Sequence, residues 1–347
     1  MIKKLIKYIF FKLGYEFKKS TINRLNSVDN QNENFVGFKK WTAKKRKLNT
    51  IRSNDIPKSM VIKSILPAKN KSPIEVLIRR PPLWGFVKCN VKNQFFYMFL
   101  GGNDDGVALK FLHHGFYEKY TMSIWTEFTK LSSLIFDIGS HTGSFTLASK
   151  AANPSCNVIS FEPHYLNFSR LALNLRVNSF STENIYMLAA SDQNLKQKFT
   201  VPKTYSYHSS GGKISNSSLD TDIYFVNSVT LDDFFEKSLH CKINLLKIDT
   251  EGHELNVLRG MENIINESRP TIFFECMKKT SDELSKLLYK YEYQIYIIND
   301  KDNKLILTNK LSPIYLKNKK IDMDQINRLA VCKKNIKHAE YLAGIIK

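Results

Sequence analysis

An α/β fold built on a doubly wound, mostly parallel sheet follows from three features of the sequence. From residue 133 onward, short apolar β-type runs alternate with helical stretches: Ser133–Ile138, Asn157–Phe161, Ile185–Ala190, Ile243–Ile248, Thr271–Phe274, Gln294–Ile298 and Leu329–Cys332. Their apolar positions are continuous rather than alternating, as in strands covered on both faces. Two runs end in an acid, Asp137 before a glycine turn and Glu162 before Pro163, which puts carboxylates at the strand ends where doubly wound sheets hold ligands. The 347 residues are 43% apolar and 24% charged, so a sizeable core is available and neither a disordered nor a fibrous class fits.

The N-terminus differs from the rest. Ile2, Leu5, Ile6, Ile9, Phe10 and Leu13 recur at helical spacing, with Lys3, Lys4, Lys7 and Lys12 mostly elsewhere around the helix. Residues 1–14 therefore read as a short basic amphipathic helix, docked on the main domain or touching a membrane surface. The apolar run Tyr8 to Phe11 is too short for a secretory h-region and no small-residue cleavage site follows, which predicts a cytoplasmic protein, peripheral at the inner membrane face if the helix meets lipid. Residues 1–72 hold eighteen Lys and Arg against four acids, so +14 of the formal +20 lies there. The cluster Lys44-Lys45-Arg46-Lys47 has no interleaved aromatics and no nucleic-acid motif, and a solvated arm is expected rather than a nucleic-acid site. The five cysteines stand singly, which argues against a disulfide framework or a zinc knuckle.

Four segments are expected: a basic arm over 1–72, a β/α extension packed on the core over 73–132, the main domain over 133–335, and a tail over 336–347. In the extension, Ile74–Ile78, Gly85–Val91 and Gln94–Phe99 read as short antiparallel strands, followed by a turn, the run Val107–Leu112 and a helix from about Glu118 to Leu131. His113 and His114, read as strand neighbours, face opposite sides and do not share an ion; no metal ligands are assigned. Residues 195–229 interrupt the α/β rhythm with a Ser/Gly/Tyr-rich insertion, read as a hairpin or loop at one end of the sheet.

The first motif, Leu134 to Thr146, is strand, turn, helix with the spacing D-x-G-x-x-x-G. Asp137 offers a carboxylate before the turn, which suits a cationic ligand better than a phosphate. Gly139 allows close backbone approach, a helix starts near Thr142, and Gly143 lets that helix pack tightly. Glu162 follows Gly139 by 23 positions, the placing of an acid that accepts from both hydroxyls of a ribose; a helix N-terminal acid is its other reading. Ala189-Ala190-Ser191-Asp192 leaves room for a flat ring, with Ser191 or Asp192 to take an amino group, or is a plain strand end. The most distinctive stretch is Lys247-Ile-Asp249-Thr-Glu251-Gly252-His253-Glu254. Charged groups clustered on a buried strand and the turn leaving it are costly unless paired or used.

In this order the motifs resemble the FkbM family of S-adenosylmethionine-dependent methyltransferases. The likeness spans roughly residues 107–276: Asp137-Ile-Gly139 with Gly143, Phe161-Glu162-Pro163, Leu173-Asn174 and Asn178, Ala190-Ser191-Asp192, Thr230-Leu231-Asp232, Lys247-Ile248-Asp249 with Glu251-Gly252, and Phe274-Glu275. His141 departs from it, standing where the family often has Asn. The resemblance implies a class I methyltransferase (Rossmann-like) fold with a seven-stranded sheet, S-adenosylmethionine as cofactor, and hydroxyls of sugars, glycans or related secondary metabolites as acceptors. The cofactor residues it points to are Asp137, Gly139, His141, Thr142, Gly143, Glu162, Pro163, Asn167, Ser191, Asp192 and Asp249. A protonated hydroxyl is a poor nucleophile and needs a base or metal beside it. Asp249 or Glu251, then His253, are the expected proton acceptors, with Lys247 paired to one of the acids. Glu118 and Trp125 precede the first core strand and can reach the acceptor pocket, or serve as a helix-start Glu and a core Trp. Two other readings remain: RNA methylation by the same fold, and a non-catalytic basic nucleic-acid-binding protein.

Overall fold

A computed structural model describes residues 56, 60–63, 74–78, 80–202, 212–214, 221–236, 242–276, 281–315 and 322–346. The amphipathic helix expected over 1–14, the Lys44–Lys47 cluster and residues 205–211 of the insertion lie outside them. No helix among the described residues is long and apolar enough to cross a membrane.

The extension opens with a five-residue helix α1 (Ile74–Ile78), where a strand was expected, and a hairpin of β1 (Trp84–Val91) and β2 (Gln94–Gly101). The run Val107–Leu112 lies in helix α2 (Gly106–His114), which also takes in the pair read as strand neighbours. Asp105 caps α2 by accepting from the Val107 and Ala108 N–H groups at 2.9 and 3.0 Å. Short apolar runs do not separate helix from strand by periodicity; the Asp-Gly cap was the available signal. His113 and His114 thus sit on a helix, His113 with Nδ1 3.2 Å from Arg80. Helix α3 (Lys119–Lys130) follows as expected.

In the main domain β3 (Leu134–Ile138), α4 (Ser144–Ala152), β4 (Asn157–Phe161), α5 (Tyr165–Val177) and β5 (Ile185–Tyr186) come first. Then β6 (Ala189–Ala190), β7 (Lys196–Pro202), β8 (Lys213–Ile214) and β9 (Thr221–Val229) make, among the described residues, a separate four-stranded sheet in which β7 pairs antiparallel with both β8 and β9, where a hairpin or loop was expected. The predicted strand Ile185–Ala190 is therefore split between two sheets. Beyond it lie α6 (Leu231–Glu236), β10 (Leu245–Ile248), α7 (Glu254–Arg259), α8 (Glu262–Ser268), β11 (Thr271–Glu275) and α9 (Ser281–Lys290). Strands β12 (Tyr293–Asn299), β13 (Lys304–Leu307) and β14 (Asn327–Cys332) and helix α10 (Ile336–Ile346) complete the chain.

Among the described residues the central sheet has eight strands, ordered β13-β12-β14-β11-β10-β3-β4-β5. The expected class I methyltransferase fold fits; the expected count of seven is corrected by β13, which folds back antiparallel on β12 at the edge. Strands β11, β10, β3, β4 and β5 are parallel, and β14 is antiparallel between β11 and β12. Period-two alternation sorts their side chains onto two faces. Ile135, Leu245, Phe273 and Leu329 pack with Trp125, Phe128 and Phe145 of α3 and α4. Phe136, Leu246, Ile272 and Phe274 pack with Leu255, Leu258, Ile265 and Leu284 of α7, α8 and α9. Side chains of α5 extend the hairpin instead of a further strand: Asn174 and Asn178 accept from the Phe99 and Tyr97 N–H groups, each at 2.8 Å. Arg170 donates to the Phe99 carbonyl at 2.8 Å and pairs with Asp104. That explains two asparagines of the sequence motif as anchors of the extension.

Candidate active site

The carboxyl ends of β3, β4, β10 and β11 open into a cavity of about 740 Å³, within the range of small-molecule sites. Its shape starts with a crossing of chains at Gly139. This residue has φ +76°, and a Cβ there would fall 1.8 Å from the Asp249 carbonyl oxygen. So Gly139 lines the cavity, and its lack of a side chain also lets the ends of β3 and β10 touch. Gly143, at φ +98°, does not line the cavity; a Cβ there would meet Leu171 of α5 at 2.5 Å, so its tight packing is helix on helix. Thr142 is buried behind the loop, its carbonyl accepting from Asn174 at 2.8 Å.

Asp137 is buried and accepts from the Thr146 hydroxyl at 2.5 Å. Burial pushes its carboxyl up to about 6, against the pull of Thr146 and of Lys247. Glu162 shapes the next wall: one oxygen accepts from the His141 N–H at 2.8 Å and the other from the His164 N–H at 2.9 Å. Burial raises its pKa, while His141, these N–H groups and Asn167 oppose the rise. Pro163, Asn167 and His141 line the cavity beside it.

Ser191 and Asp192 are not brought to the cavity. The Ser191 hydroxyl lies 2.9 Å from His253 Nε2, and Asp192 accepts from the Asn256 amide at 2.9 Å. Gly260 presses on this turn, where a Cβ would stand 1.9 Å from the Ser191 carbonyl oxygen. The cavity wall there is Leu188, Ala189 and Ala190, so the small residues fit a flat ring while the polar pair behind them is already engaged.

At the end of β10, Lys247 is buried with its ammonium 3.0 Å from Asp249 Oδ2 and 4.8 Å from the centre of the Phe145 ring. Burial works to lower its pKa, yet Asp249, Glu118 and Glu275 hold it above the ordinary lysine value. The chain then turns through Glu251 at φ +54° and Gly252 at φ +98°. Glu254 holds this turn by accepting from Thr250 N, Thr250 Oγ1 and Gly252 N at 3.0–3.1 Å. Glu251 itself lines the cavity, and burial, then Asp249 and Glu254, push its carboxyl up to about 8. His253 begins α7 and also lines the cavity; burial lowers its pKa.

Two wall residues, Glu118 and Asp300, line the cavity from outside the core strands and the motifs. Glu275 of the Phe274-Glu275 motif ends β11 and lines it too. Burial, then Asp249, raises Glu275 well above the usual carboxylate range. Trp125 stays in the core, its indole N–H donating to Ser149 at 2.8 Å.

Residues 137–295 match the Methyltransferase FkbM domain. Methyltransferase 1 of Beauveria bassiana is 29% identical over 147 residues, 38% of this chain and 59% of that protein. Hexuronic acid methyltransferase AglP of Haloferax volcanii is 27% identical over 159 residues, 43% of this chain and 58% of that protein. The chain thus spans less than two thirds of the length of these two relatives. The solved methyltransferase FkbM of Methylobacillus flagellatus superposes with a TM-score of 0.35 at 16% identity, over 58% of this chain and 43% of that one.

Proposed function

Taking as premise that residues 137–295 carry an FkbM methyltransferase domain, we propose that the protein transfers a methyl group from S-adenosylmethionine to a hydroxyl of a sugar or glycan. The observation that carries this reading is the convergence of Asp137, Glu162, Asp249 and Glu251 on one cavity, beside the buried Lys247 ammonium, which is paired with Asp249. The donor set fits the cofactor. When bound, S-adenosylmethionine supplies an activated methyl group on a cationic sulfur. Acidic walls suit a cation, and Glu162 keeps lone pairs for ribose hydroxyls beyond the two backbone bonds it accepts. Asn167 supports that carboxylate, Leu188 to Ala190 give a smooth apolar wall, and Asp137 adds negative charge at the end of β3.

Glu251 is assigned as proton acceptor for the sugar hydroxyl, since a general base works best with a pKa near the working pH. Asp249 is the weaker candidate because Lys247 holds it, and His253 because Ser191 does. Aligning donor and acceptor in the cavity supplies most of the remaining rate, up to roughly 7–11 kcal/mol in favourable cases. The name of the H. volcanii relative, a hexuronic acid methyltransferase, supports a sugar as the acceptor class.

Calorimetry with S-adenosylhomocysteine tests the reading. Binding to the full chain is expected, weakened about tenfold or more in Glu162→Gln, which loses a charged acceptor. No binding by the unmodified protein rejects the proposal.

A further inference from the structure

Glu118 occupies an odd position for a glutamate. It is the residue before helix α3, with φ +37° and ψ +65°, a left-handed conformation that carries strain in a residue with a side chain. Its carbonyl starts the helix by accepting from the Met122 N–H at 2.8 Å, but its side chain makes no cap bond. Asp300, far along the chain, does the capping instead, accepting from Tyr120 N, Thr121 N and Thr121 Oγ1 at 2.7, 3.0 and 2.7 Å. The Glu118 carboxylate is thereby released to the cavity wall. There one oxygen is engaged by Tyr117, while Oε2 is shut off from solvent with no hydrogen-bond partner among the described residues. Lys247 and Asp249 both stand close enough to shift its ionisation, with burial the larger influence and the net direction upward. A buried acceptor atom without a donor costs stability, and backbone strain adds to the cost. Both are explained if a ligand supplies the donor.

We propose that Glu118 binds the methyl acceptor, its Oε2 accepting a hydrogen bond from a hydroxyl next to the one that is methylated. The inference rests on the proposed methyl transfer and narrows its acceptor to a polyol with vicinal hydroxyls. It also orients that acceptor: the hydroxyl to be methylated faces Glu251 and its neighbour faces Glu118, both of which line the one cavity. Glu118 lies outside residues 137–295, so this part of the wall belongs to the extension and sets specificity independently of the matched domain.

The test uses the full chain and the variants Glu118→Gln and Glu118→Gly, with three readouts. S-adenosylhomocysteine affinity is expected within twofold of the unmodified protein in both. The unfolding midpoint is expected to rise by about 2 °C or more in Glu118→Gly, which removes the unpartnered Oε2 and relieves the backbone. With methyl α-D-mannopyranoside, a neutral vicinal diol, as probe, kcat/KM is expected to fall about 10–150-fold in Glu118→Gln. A lowered midpoint in both variants with cofactor-product affinity intact makes Glu118 a structural residue and overturns this inference alone. Turnover in Glu118→Gln equal to the unmodified protein does the same. Absence of S-adenosylhomocysteine binding in the unmodified protein removes the underlying reading instead.

Discussion

At the amino ends of β3, β10 and β11, polar side chains are tied to one another. Asn244 accepts from Ser133 N, Ser133 Oγ and Leu134 N at 2.9, 2.9 and 3.0 Å. His338 of α10 is buried with Nδ1 2.8 Å from Thr271 Oγ1 and Nε2 3.2 Å from Ser132 Oγ. Because Ser132 gives its proton to the Phe128 carbonyl, His338 donates from Nε2 and accepts at Nδ1, a neutral tautomer. At the carboxyl ends of the same strands, Asp137, Glu251 and Glu275 are pushed upward by burial, and Glu118, His141 and Glu251 hold positive φ. The treatment is opposite: one end spends its polar groups on the fold, while the other keeps charge that the fold does not use. Surplus of that kind marks a site.

The largest effect that can break this contrast is in turnover. Glu251→Gln is expected to lower kcat about 10²–10⁴-fold and to leave the unfolding midpoint unchanged or raised. In the unmodified protein the rate should climb with pH through about 8, as the Glu251 carboxyl loses its proton, and this limb should vanish in the variant. A variant with full activity places the proton acceptor elsewhere.

Next comes the amino end. His338→Ala removes two buried hydrogen bonds and the edge-on packing against Phe128, and should cost about 2–3 kcal/mol in denaturant unfolding with activity per folded molecule preserved. A loss of activity without loss of stability would falsify the division of labour between the ends.

The two ends also predict opposite responses to pH. Burial holds His338 down at about 4 in the folded chain, against about 6.5 unfolded. Its contribution is complete above the unfolded value and is lost as pH falls from about 6.5 to about 4. Glu251 is raised instead, to about 8; its contribution is complete below about 4.5 and lost as pH rises to about 8. Unfolding measured across this range should flatten on the acid side in His338→Ala and on the alkaline side in Glu251→Gln. The smallest effect is Asn244→Ala, about 1 kcal/mol, because Asn244 is only half-buried and water can replace it.

Much of the site was legible because its residues lie within a few positions of one another. Lys247, Asp249, Glu251 and His253 leave one strand together, and their clustering on a buried segment is itself a chemical statement. Ser191 and Asp192 misled because a strand-end position says nothing about where side chains point; Asn256 and His253, on a later helix, draw them away from the cavity. For Glu118 the sequence left two readings open, the acceptor pocket or a helix start, because the choice depends on Asp300, 182 positions later, taking over the cap. In the extension, Ile74–Ile78 and Val107–Leu112 were too short for their apolar pattern to choose between helix and strand.

By itself the sequence determined the layered α/β architecture, because strands covered on both faces must be apolar throughout and the helices between them must be amphipathic. It also determined which strand ends carry acids. Tertiary structure alone decided which of those acids share a cavity, how far burial raises each one, and that Glu118 joins them from outside the matched domain. Those outcomes depend on through-space distances and on the loss of water around each charge, and neither quantity is written in the order of residues along the chain.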